Sequence, residues 1–450
     1  MPTFTHVSSY PAPRSEVFAW HTRPGGFVRL TPPGLAALRS GPTDGINPGS
    51  ELPLRVGIGP VGVDWLVRHV ELVDNQRFVD EQVHGPFRSW RHEHDFSDGP
   101  DGGTVITDTV TWELPRAVPR SVVERQLAGL FAFRERQLRG DLALLARLGT
   151  PSSTVVVSGA SGLVGTQLTA LLTTAGHRVV RLVRRDTRAR DELRWEPRTL
   201  WLPKGALEEA SVVINLSGAT IGGRFTPTRK ADILRSRIDS TTTLAEAMAR
   251  EATGATLVQA SAIGGYGPRR PGELLTEDSA LGRGSSPTSC GPGSARQPRP
   301  ASRGPHRVPP HRHRAELGGG AVPPQVPLFL VGAGGRLAGA TQSMSWIGLD
   351  DLARAYVHAA FTPPLEGAVN AVGPTPTTQQ GFADALGSAL HRPAWLPTPA
   401  FGPELILGSE GRSELIDTDQ KISSAKLTGS GFRFGEPTLD EALRHALARP

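Results

Sequence analysis

The feature that most restricts the fold of this chain is a glycine-rich loop between an apolar strand and a helix. Residues 159–165 read Gly-Ala-Ser-Gly-Leu-Val-Gly, and they lie between the β-branched segment Thr154–Ser158 and the amphipathic segment Thr166–Ala175. In such a unit the first glycine allows the tight turn, the second lets a diphosphate approach the backbone, and the third lets helix and strand pack closely. We therefore predict that a dinucleotide pyrophosphate binds at this helix N-terminus, held by Gly159, Ser161, Gly162, Leu163, Val164 and Gly165.

The end of the second predicted strand indicates which dinucleotide binds. Strand Arg178–Val183 is followed by Arg184 and Arg185, at the place where an acidic residue would favour the 2′-hydroxyl of NAD(H). Two guanidinium groups suit a 2′-phosphate, because it accepts paired charge-assisted hydrogen bonds. NADP(H) is therefore the predicted cofactor. Asp186 follows directly, and a solvated surface pair is the alternative interpretation of the two arginines.

The first third of the chain has a different pattern, with antiparallel-type strands followed by one long helix. A short early helix is predicted around Glu16–Trp20 and a long helix after Pro119. The alternating segments are Val63–Leu72, Arg77–Val83, Phe87–Phe96 and Thr104–Leu114, the last with Ile106, Val110, Trp112 and Leu114 on one face. The apolar stripe of the long helix consists of Leu127, Phe131, Leu138, Leu142 and Leu145.

This order of elements resembles the polyketide-cyclase/START-like superfamily, whose fold is an α+β helix grip. The resemblance implies an independent domain at residues 1–149 that holds an apolar ligand between its sheet and its long helix. After the hinge at Thr150–Ser153, the pattern changes to the βαβ rhythm of a parallel sheet. Further strands are predicted at Ser211–Leu216 and Thr256–Ala260, with helices at 229–250, 350–361, 378–390 and 439–448.

Six motifs in this second part succeed one another at a characteristic spacing. They are GASGLVG at 159–165, INLSGA at 214–219, SAIGGYG at 261–267, TEDS at 276–279, MSWIGLDDLARA at 344–355 and the terminal GFRFGEPTLDEAL. Together they resemble atypical short-chain dehydrogenase/reductases (SDRs) of an epimerase-like family whose substrate is uncertain. The resemblance implies an α/β Rossmann-type, doubly wound parallel sheet at residues 153–390, a C-terminal family extension at 391–450, and NAD(P) binding.

The same resemblance assigns roles to individual residues. Asn215, Leu216, Ser217 and Gly218 would line the adenine and nicotinamide ribose side, and Ala260 and Ser261 would lie beside the nicotinamide. Ser261 stands where related enzymes keep a hydroxyl that hydrogen-bonds the substrate oxygen, so it is the candidate catalytic residue. The alternative is that Ser261 merely ends a buried strand. Trp346 and the Asp350-Asp351 pair are interpreted as a packed indole and a helix N-cap rather than as substrate contacts.

One departure from the usual SDR pattern concerns catalysis. Ordinary SDR enzymes place a lysine four residues after a tyrosine, because the ammonium lowers the pKa of the phenol so that it can transfer a proton. The three tyrosines of this chain are Tyr10, Tyr266 and Tyr356, and the residues four positions later are Arg14, Arg270 and Ala360. The sequence therefore excludes the Tyr/Lys mechanism, and Arg270 is not expected to replace the lysine.

Residues 284–316 are anomalous within the second part. Between Gly284 and Arg314 the single large aliphatic residue is Val308, among many prolines, arginines, serines and histidines. The resemblance places a helix at 284–300 and a buried strand near 305–312. One hypothesis is that two compensating frame shifts replaced the natural residues here, and the alternative is a natural Pro/Arg-rich disordered loop.

Overall composition narrows the function classes. The net charge of +6 comes almost entirely from scattered arginines, without a recognition-helix pattern, which argues against nucleic acid as a partner. No apolar run is long enough to span a membrane, no signal peptide is apparent, and a single cysteine excludes a disulfide framework or a cysteine-based metal site, so a cytoplasmic location is expected. The leading hypothesis is an NADP(H)-dependent oxidoreductase or epimerase-like enzyme acting on a small carbonyl or hydroxyl compound of unknown identity. The alternative is a non-catalytic NADP(H)-binding or ligand-sensing protein.

Overall fold

The chain folds into two compact units, each with its own large sheet. The structure is a computed structural model that describes residues 1–39, 45–58, 61–114, 119–282, 306–308, 310–311, 322–396 and 401–449. The first unit comprises Met1–Gly149 together with Thr173–Gly176 and Arg444–Pro450. The second unit comprises Thr150–Leu172 and His177–Leu443.

Within the described residues, the sheet of the first unit has seven antiparallel strands. They are β1 (Thr3–Tyr10), β2 (Ala36–Leu38), β3 (Glu51–Ile58), β4 (Val61–Val73), β5 (Arg77–His84), β6 (Ser89–Asp98) and β7 (Thr104–Glu113). Their order across the sheet is β1-β7-β6-β5-β4-β3-β2, so the first strand pairs with the last and the others follow as a meander. The helices of this unit are α1 (Arg14–Thr22), α2 (Gly26–Arg29) and α3 (Arg120–Leu148).

The sequence patterns of the first unit correspond closely to its structure. Alternation in β7 buries Ile106, Val110 and Trp112 on one face, because successive side chains of a strand point to opposite faces. The stripe of α3 packs against this face, with Phe131 and Leu127 beside Val110 and Trp112. The predicted strands, the early helix and the long helix are thus confirmed. Strands β1, β2 and β3 were not predicted.

The second unit is built on a parallel sheet, again as far as the described residues show. Its strands are β8 (Thr154–Ser158), β9 (Arg178–Val183), β10 (Glu192–Arg194), β11 (Ala210–Asn215), β12 (Thr256–Gln259), β15 (His306–Val308) and β18 (Gly367–Ala368). The order across the sheet is β10-β9-β8-β11-β12-β15-β18. The chain enters the sheet at β8, adds β9 and β10 on one side, and then crosses to the other side of β8 to add β11 and the later strands. This reversal is the doubly wound arrangement that the glycine motif predicted.

The remaining elements of the second unit include three two-stranded sheets, which pair β13 with β16, β14 with β20, and β17 with β19. These strands are β13 (Ser261–Ala262), β14 (Arg269–Leu275), β16 (Pro310–His311), β17 (Ser343–Met344), β19 (Thr377–Thr378) and β20 (Asp419–Ile422). The helices are α4 (Leu163–Thr174), α5 (Pro227–Glu251), α6 (Val326–Leu330), α7 (Leu349–Phe361), α8 (Gln379–Leu390), α9 (Phe401–Leu415), α10 (Ala425–Gly429) and α11 (Leu439–Ala446). The last residues of α4 and of α11 belong to the first unit.

Part of the anomalous segment 284–316 lies in this sheet. Backbone pairing places β15 between β12 and β18, parallel to both, so a short strand stands where the family resemblance required one. The predicted helix at 284–300 lies outside the described residues. The frame-shift hypothesis therefore stays a prediction.

Candidate functional site

The predicted site residues gather at one edge of the parallel sheet. Strands β8 and β11 are neighbours, although β9 and β10 lie between them in the sequence, so the strand order reverses between β8 and β11. In doubly wound sheets a crevice opens at this reversal, beyond the carboxyl ends of the strands. The glycine loop leaves the carboxyl end of β8, and Asn215 ends β11. The topology therefore places both motifs at the crevice.

The glycine loop is packed so closely that two of its positions exclude a side chain. Gly159 has φ +73°, and a Cβ there would lie 2.8 Å from the carbonyl carbon of Leu216. A Cβ on Gly165 would lie 2.2 Å from the carbonyl oxygen of Gly159. A Cβ on Gly162 would meet only that same oxygen, at 3.3 Å, so Gly162 is not required by packing.

Helix α4 begins inside the motif, at Leu163 rather than at the predicted Thr166. Ser161 and Gly162 are exposed just before its first turn, whereas Val164 and Gly165 are buried against the sheet. The first N–H groups of a helix have no acceptor within the helix, and the helix dipole favours an anion there. The exposed half of the loop thus fits a diphosphate, and the buried half anchors the loop.

Asn215 joins the ends of three strands through its side chain. The Oδ1 atom accepts hydrogen bonds from Ser158 Oγ at 2.6 Å and from the Ser217 N–H at 3.1 Å. The Nδ2 group donates to Gln259 Oε1 at 2.8 Å and to Ser240 Oγ at 3.3 Å. The side chain has no exposed surface. Asn215 therefore positions the residues that follow it, and its amide is committed to the protein.

The other predicted ribose and nicotinamide residues lie beside Asn215. Leu216 and Ser217 are half-buried, and Gly218 is exposed. The N–H of Ala260 donates to the Asn215 carbonyl oxygen at 2.9 Å, which places the end of β12 against the end of β11. Ser261 is half-buried and begins β13. The structure thus brings together the predicted residues from β8, β11 and β12.

The two arginines after β9 have different environments. The Arg185 guanidinium donates two hydrogen bonds to the Glu192 carboxylate, at 2.7 and 2.8 Å. Glu192 is buried, and the hydrogen bonds from Arg185 and from the Arg188 N–H lower its pKa to about 2. Arg184 is exposed, and it forms no hydrogen bond or ion pair with the described part of the chain. Arg184 is therefore the arginine that is free to bind a phosphate, and Arg185 fixes the turn that presents it.

Tyr266 is committed to a structural contact. Its hydroxyl donates to Asn370 Oδ1 at 2.9 Å, and the side chain is buried, which raises the pKa of the phenol. Arg270 binds Glu273 and donates to the Tyr266 carbonyl oxygen, not to its phenol. In this structure the Arg270 guanidinium therefore does not contact the phenol, and the inference that it does not replace the SDR lysine stays a prediction.

Tyr266→Phe is expected to lower the thermal midpoint of the protein and to leave NADPH affinity unchanged. The substitution leaves the buried Asn370 oxygen without its donor, which costs about 1–3 kcal/mol of folding free energy. Thermal melts and a fluorescence titration with NADPH measure the two quantities. A several-fold loss of NADPH affinity at an unchanged midpoint would contradict this assignment.

The prediction that Trp346 is a packed indole is correct, but the prediction that the Asp350-Asp351 pair forms the N-cap of a helix is wrong. Trp346 is buried, and its Nε1–H donates to the Thr375 carbonyl oxygen at 2.8 Å. The residue that caps α7 is Gly348, so the two aspartates lie in the first turn of the helix. Asp351 accepts from the N–H groups of residues 435 and 436 at 2.8 and 3.1 Å, and burial, followed by the nearby Glu436, raises its pKa to about 7.

Two sets of polar residues in the structure were not predicted from the sequence. Glu192 lies in a three-residue strand with no periodicity that would mark it. In the first unit, His92 and His94 lie two residues apart on β6, a spacing that puts both on one face of the strand. This spacing could have indicated a pair of histidines on one face of a strand. The carboxylates of Asp80 and Asp108 come from the two neighbouring strands.

Three parts of the chain match known protein families. Residues 155–290 match the NAD dependent epimerase/dehydratase family, residues 398–446 match a domain of unknown function (DUF1731), and residues 36–142 match another (DUF8410). An epimerase family protein of Mycobacterium bovis is 37% identical over 302 residues, which cover 66% of this chain and 99% of that protein. An epimerase family protein of Bacillus subtilis is 31% identical, over 65% of this chain and 98% of that protein.

Solved structures show the same fold. The nucleoside-diphosphate sugar epimerase from Corynebacterium glutamicum superposes with a TM-score of 0.77 at 29% identity, covering 100% of this chain and 90% of that one. The human epimerase family protein SDR39U1, solved with NADPH, gives a TM-score of 0.58 at 26% identity over 65% of this chain and 98% of that one.

Within the described residues, no helix combines the length and apolar character needed to cross a bilayer.

Proposed function

This chain belongs to the epimerase family, and from that membership we propose that it is an NADP(H)-dependent oxidoreductase or epimerase-like enzyme acting on a small carbonyl or hydroxyl compound. The observation that carries the proposal is the pairing of the glycine loop at the strand-order reversal with an unpaired arginine, Arg184, at the end of β9. A relative of the same fold was solved with NADPH.

The pyrophosphate is proposed to lie against the first turn of α4. Gly162 is exposed and has space on its outer side, so phosphate oxygens can approach the backbone there. At Gly159 and Gly165 the backbone approaches Leu216 and Gly159, respectively, so closely that no side chain fits, and this close packing restricts the shape of the loop. A rigid loop loses little conformational entropy when the cofactor binds.

The adenosine 2′-phosphate is proposed to bind Arg184. Its guanidinium is exposed and unpaired in the described part of the chain, so binding breaks no internal contact. Arg185 restrains the backbone next to it through the buried carboxylate of Glu192. The two arginines are therefore unequal, and the first is the determinant of cofactor preference.

The substrate side is proposed to lie beside Ala260 and Ser261. When it is bound, NADP(H) supplies or accepts a hydride at the nicotinamide C4. Ser261 begins β13 close to Asn215, and we assign to its hydroxyl the task of donating a hydrogen bond to the substrate oxygen. A hydrogen bond to that oxygen stabilises the negative charge that develops on it during reduction.

A second candidate function is non-catalytic binding of NADP(H) as a redox or ligand sensor. The observation in its favour is that no tyrosine is followed at four residues by lysine, and that the Tyr266 phenol is committed to Asn370. Oxidation of NADPH with a panel of aldehydes, ketones and nucleotide sugars distinguishes the two. Turnover that is lost in Ser261→Ala supports the enzyme, whereas tight binding without any turnover supports the sensor.

For the first unit we propose a START-like domain that binds a small ligand between its sheet and α3. The support is the meander of antiparallel strands with one long C-terminal helix. The enclosed face also carries buried charged groups, including Asp108. Asp108 is paired with His92 and His94, so the apolar residues of this face are the ones left to contact such a ligand.

Replacing Arg184 with Asp is expected to remove most of the preference for NADPH over NADH. The loss of charge-assisted contacts corresponds to about 1–3 kcal/mol, or roughly 5- to 150-fold in the ratio of dissociation constants. Fluorescence titrations with both dinucleotides measure that ratio.

The matched control is Arg178→Asp, which makes the same charge change at the opposite end of β9. Arg178 is exposed and pairs with the exposed Glu209, and a solvent-exposed pair of this kind contributes little, so this control should leave the ratio intact. Equal affinities of the unmutated protein for NADPH and NADH would refute the proposed specificity. An equal loss in both variants would show a general charge effect and refute the role of Arg184.

A further inference from the structure

Two histidines and two aspartates form a buried cluster inside the first unit. Asp80 lies on β5, His92 and His94 lie on β6, and Asp108 lies on β7. The strand registers pair Asp80 with His92 and His94 with Asp108, so all four side chains share one face of the sheet. None of the four side chains is more than 13% exposed. Charged groups at such depth require partners.

Asp108 binds both imidazoles from one side. Its Oδ1 lies 3.1 Å from His92 Nε2 and 2.7 Å from His94 Nδ1. A carboxylate can only accept hydrogen bonds, so the two ring nitrogens that face Asp108 carry the hydrogens. In the neutral rings, His92 Nδ1 and His94 Nε2 are therefore left with lone pairs.

These two lone pairs face a third acceptor. Asp80 Oδ2 lies 3.6 Å from His92 Nδ1 and 3.5 Å from His94 Nε2. The three acceptor atoms lie within 4.8 Å of one another in a buried place, where acceptors repel unless a cation lies between them. Both distances exceed those of ordinary hydrogen bonds. They match the spacing of about 3.3–3.6 Å between ligand atoms that tetrahedral bonds of about 2.0–2.2 Å produce.

A shared proton explains this geometry less well than a metal ion does. If one ring were doubly protonated, its charge would draw Asp80 to a distance of about 2.7–2.9 Å. Asp108 achieves such a distance to His94, but Asp80 lies 3.6 Å from His92 Nδ1 and 3.5 Å from His94 Nε2. The symmetric, longer spacing around Asp80 is the one expected of ligands that surround an ion.

We propose that Asp80, His92 and His94 bind one divalent first-row transition-metal ion of the Zn²⁺ or Fe²⁺ class, and that Asp108 holds both imidazoles in the ligating tautomer. Two imidazoles and one carboxylate form a ligand set that these ions prefer. A carboxylate behind each ligating histidine is the usual device that fixes the ring and its protonation.

His69 is the candidate fourth ligand. It lies opposite Asp80 in the register of β4 and β5, and it is 8% exposed. Its Nδ1 is buried and has no hydrogen-bond partner among the described residues. An imidazole nitrogen left in this state beside a metal site can bind the ion directly or through a water molecule.

Metal analysis of the full-length protein provides the first test. The protein is purified without a polyhistidine tag, stripped with a chelator, and titrated with Co²⁺ and with Zn²⁺. We expect one equivalent to bind, visible Co²⁺ absorption bands that Zn²⁺ displaces, and a rise in the thermal midpoint. Binding of less than about 0.1 equivalent of either ion overturns the proposal, because a formed buried site of this kind binds its metal stoichiometrically.

Substitutions provide the second test. Asp80→Asn and His94→Gln should each weaken Co²⁺ binding by about 100-fold or more, and Asp108→Asn by about 10- to 100-fold. The control is His84→Gln, which removes an exposed histidine from the end of β5 and should leave binding unchanged. Near-ultraviolet circular dichroism checks that each variant is folded. Folded Asp80→Asn and His94→Gln variants with unchanged affinity overturn the proposal, and if a variant does not fold, the titration of the unmutated protein decides.

Discussion

Asp141→Ala is expected to lower the free energy of unfolding of the first unit by about 3–5 kcal/mol. Asp141 on α3 binds Arg29 on α2 through two hydrogen bonds of 2.8 Å, Nε to Oδ2 and Nη2 to Oδ1. Both side chains are fully buried. Removal of the carboxylate takes both of these hydrogen bonds away from a buried guanidinium, and breaking a buried pair in this way costs far more than the intact pair contributes. Urea denaturation followed by the circular dichroism of this unit measures the loss.

Two further variants separate this effect from a simple loss of packing. Glu124→Ala breaks an exposed pair with Arg120 on the same helix and should cost less than about 0.5 kcal/mol. The double variant Arg29→Met with Asp141→Leu removes both charges and should recover most of the stability lost in Asp141→Ala. A loss below about 1 kcal/mol in Asp141→Ala would show that Arg29 finds another partner or reaches water.

Gly165→Ala is expected to reduce NADPH affinity by about 100-fold or more, since a loop displaced by about 1 Å no longer fits its ligand. The new Cβ would lie 2.2 Å from the Gly159 carbonyl oxygen and 2.8 Å from Ala160 Cα. Both are backbone atoms, so relief requires the loop to move as a whole. The same overpacking should lower stability by about 1–3 kcal/mol. Fluorescence titration and thermal melts measure the two effects.

Two glycine variants serve as controls. Gly254→Ala adds a Cβ that meets no atom within 4 Å, so it should change neither quantity. Gly162→Ala meets only one oxygen, at 3.3 Å, so the fold should persist while the diphosphate is pushed away. If Gly165→Ala binds NADPH as tightly as the unmutated protein, the loop does not hold the cofactor as we propose.

The local patterns were sufficient to predict most of the regular elements. Strands β8 and β9 have the bounds expected from their apolar runs, and α3 follows Pro119 as its apolar stripe indicated. These elements are readable because their periodicity comes from residues that are neighbours in sequence. The last strands of the parallel sheet, β15 and β18, have three and two residues, too few to show any period.

The C-terminal residues show what no local pattern could reveal. His445 belongs to the first unit, where its Nε2 lies 3.1 Å from Oε1 of the fully buried Gln137. Its ring also stacks on Phe133 at a centroid distance of 4.4 Å. The sequence pattern correctly predicted a C-terminal helix. It could not indicate that His445 on this helix contacts Gln137, more than 300 residues away in the chain.

By itself, the sequence determined the glycine loop, the two arginines after β9, and the absence of a tyrosine–lysine pair, because each depends on residues that are close in the chain. The tertiary structure decided which arginine is free, since Glu192 reaches Arg185 from the neighbouring strand β10 and leaves Arg184 exposed. It also decided that Asp80, His92, His94 and Asp108 meet, since three strands must pair in one register to bring them together. Register depends on the whole sheet and its core, and a segment read alone does not specify it.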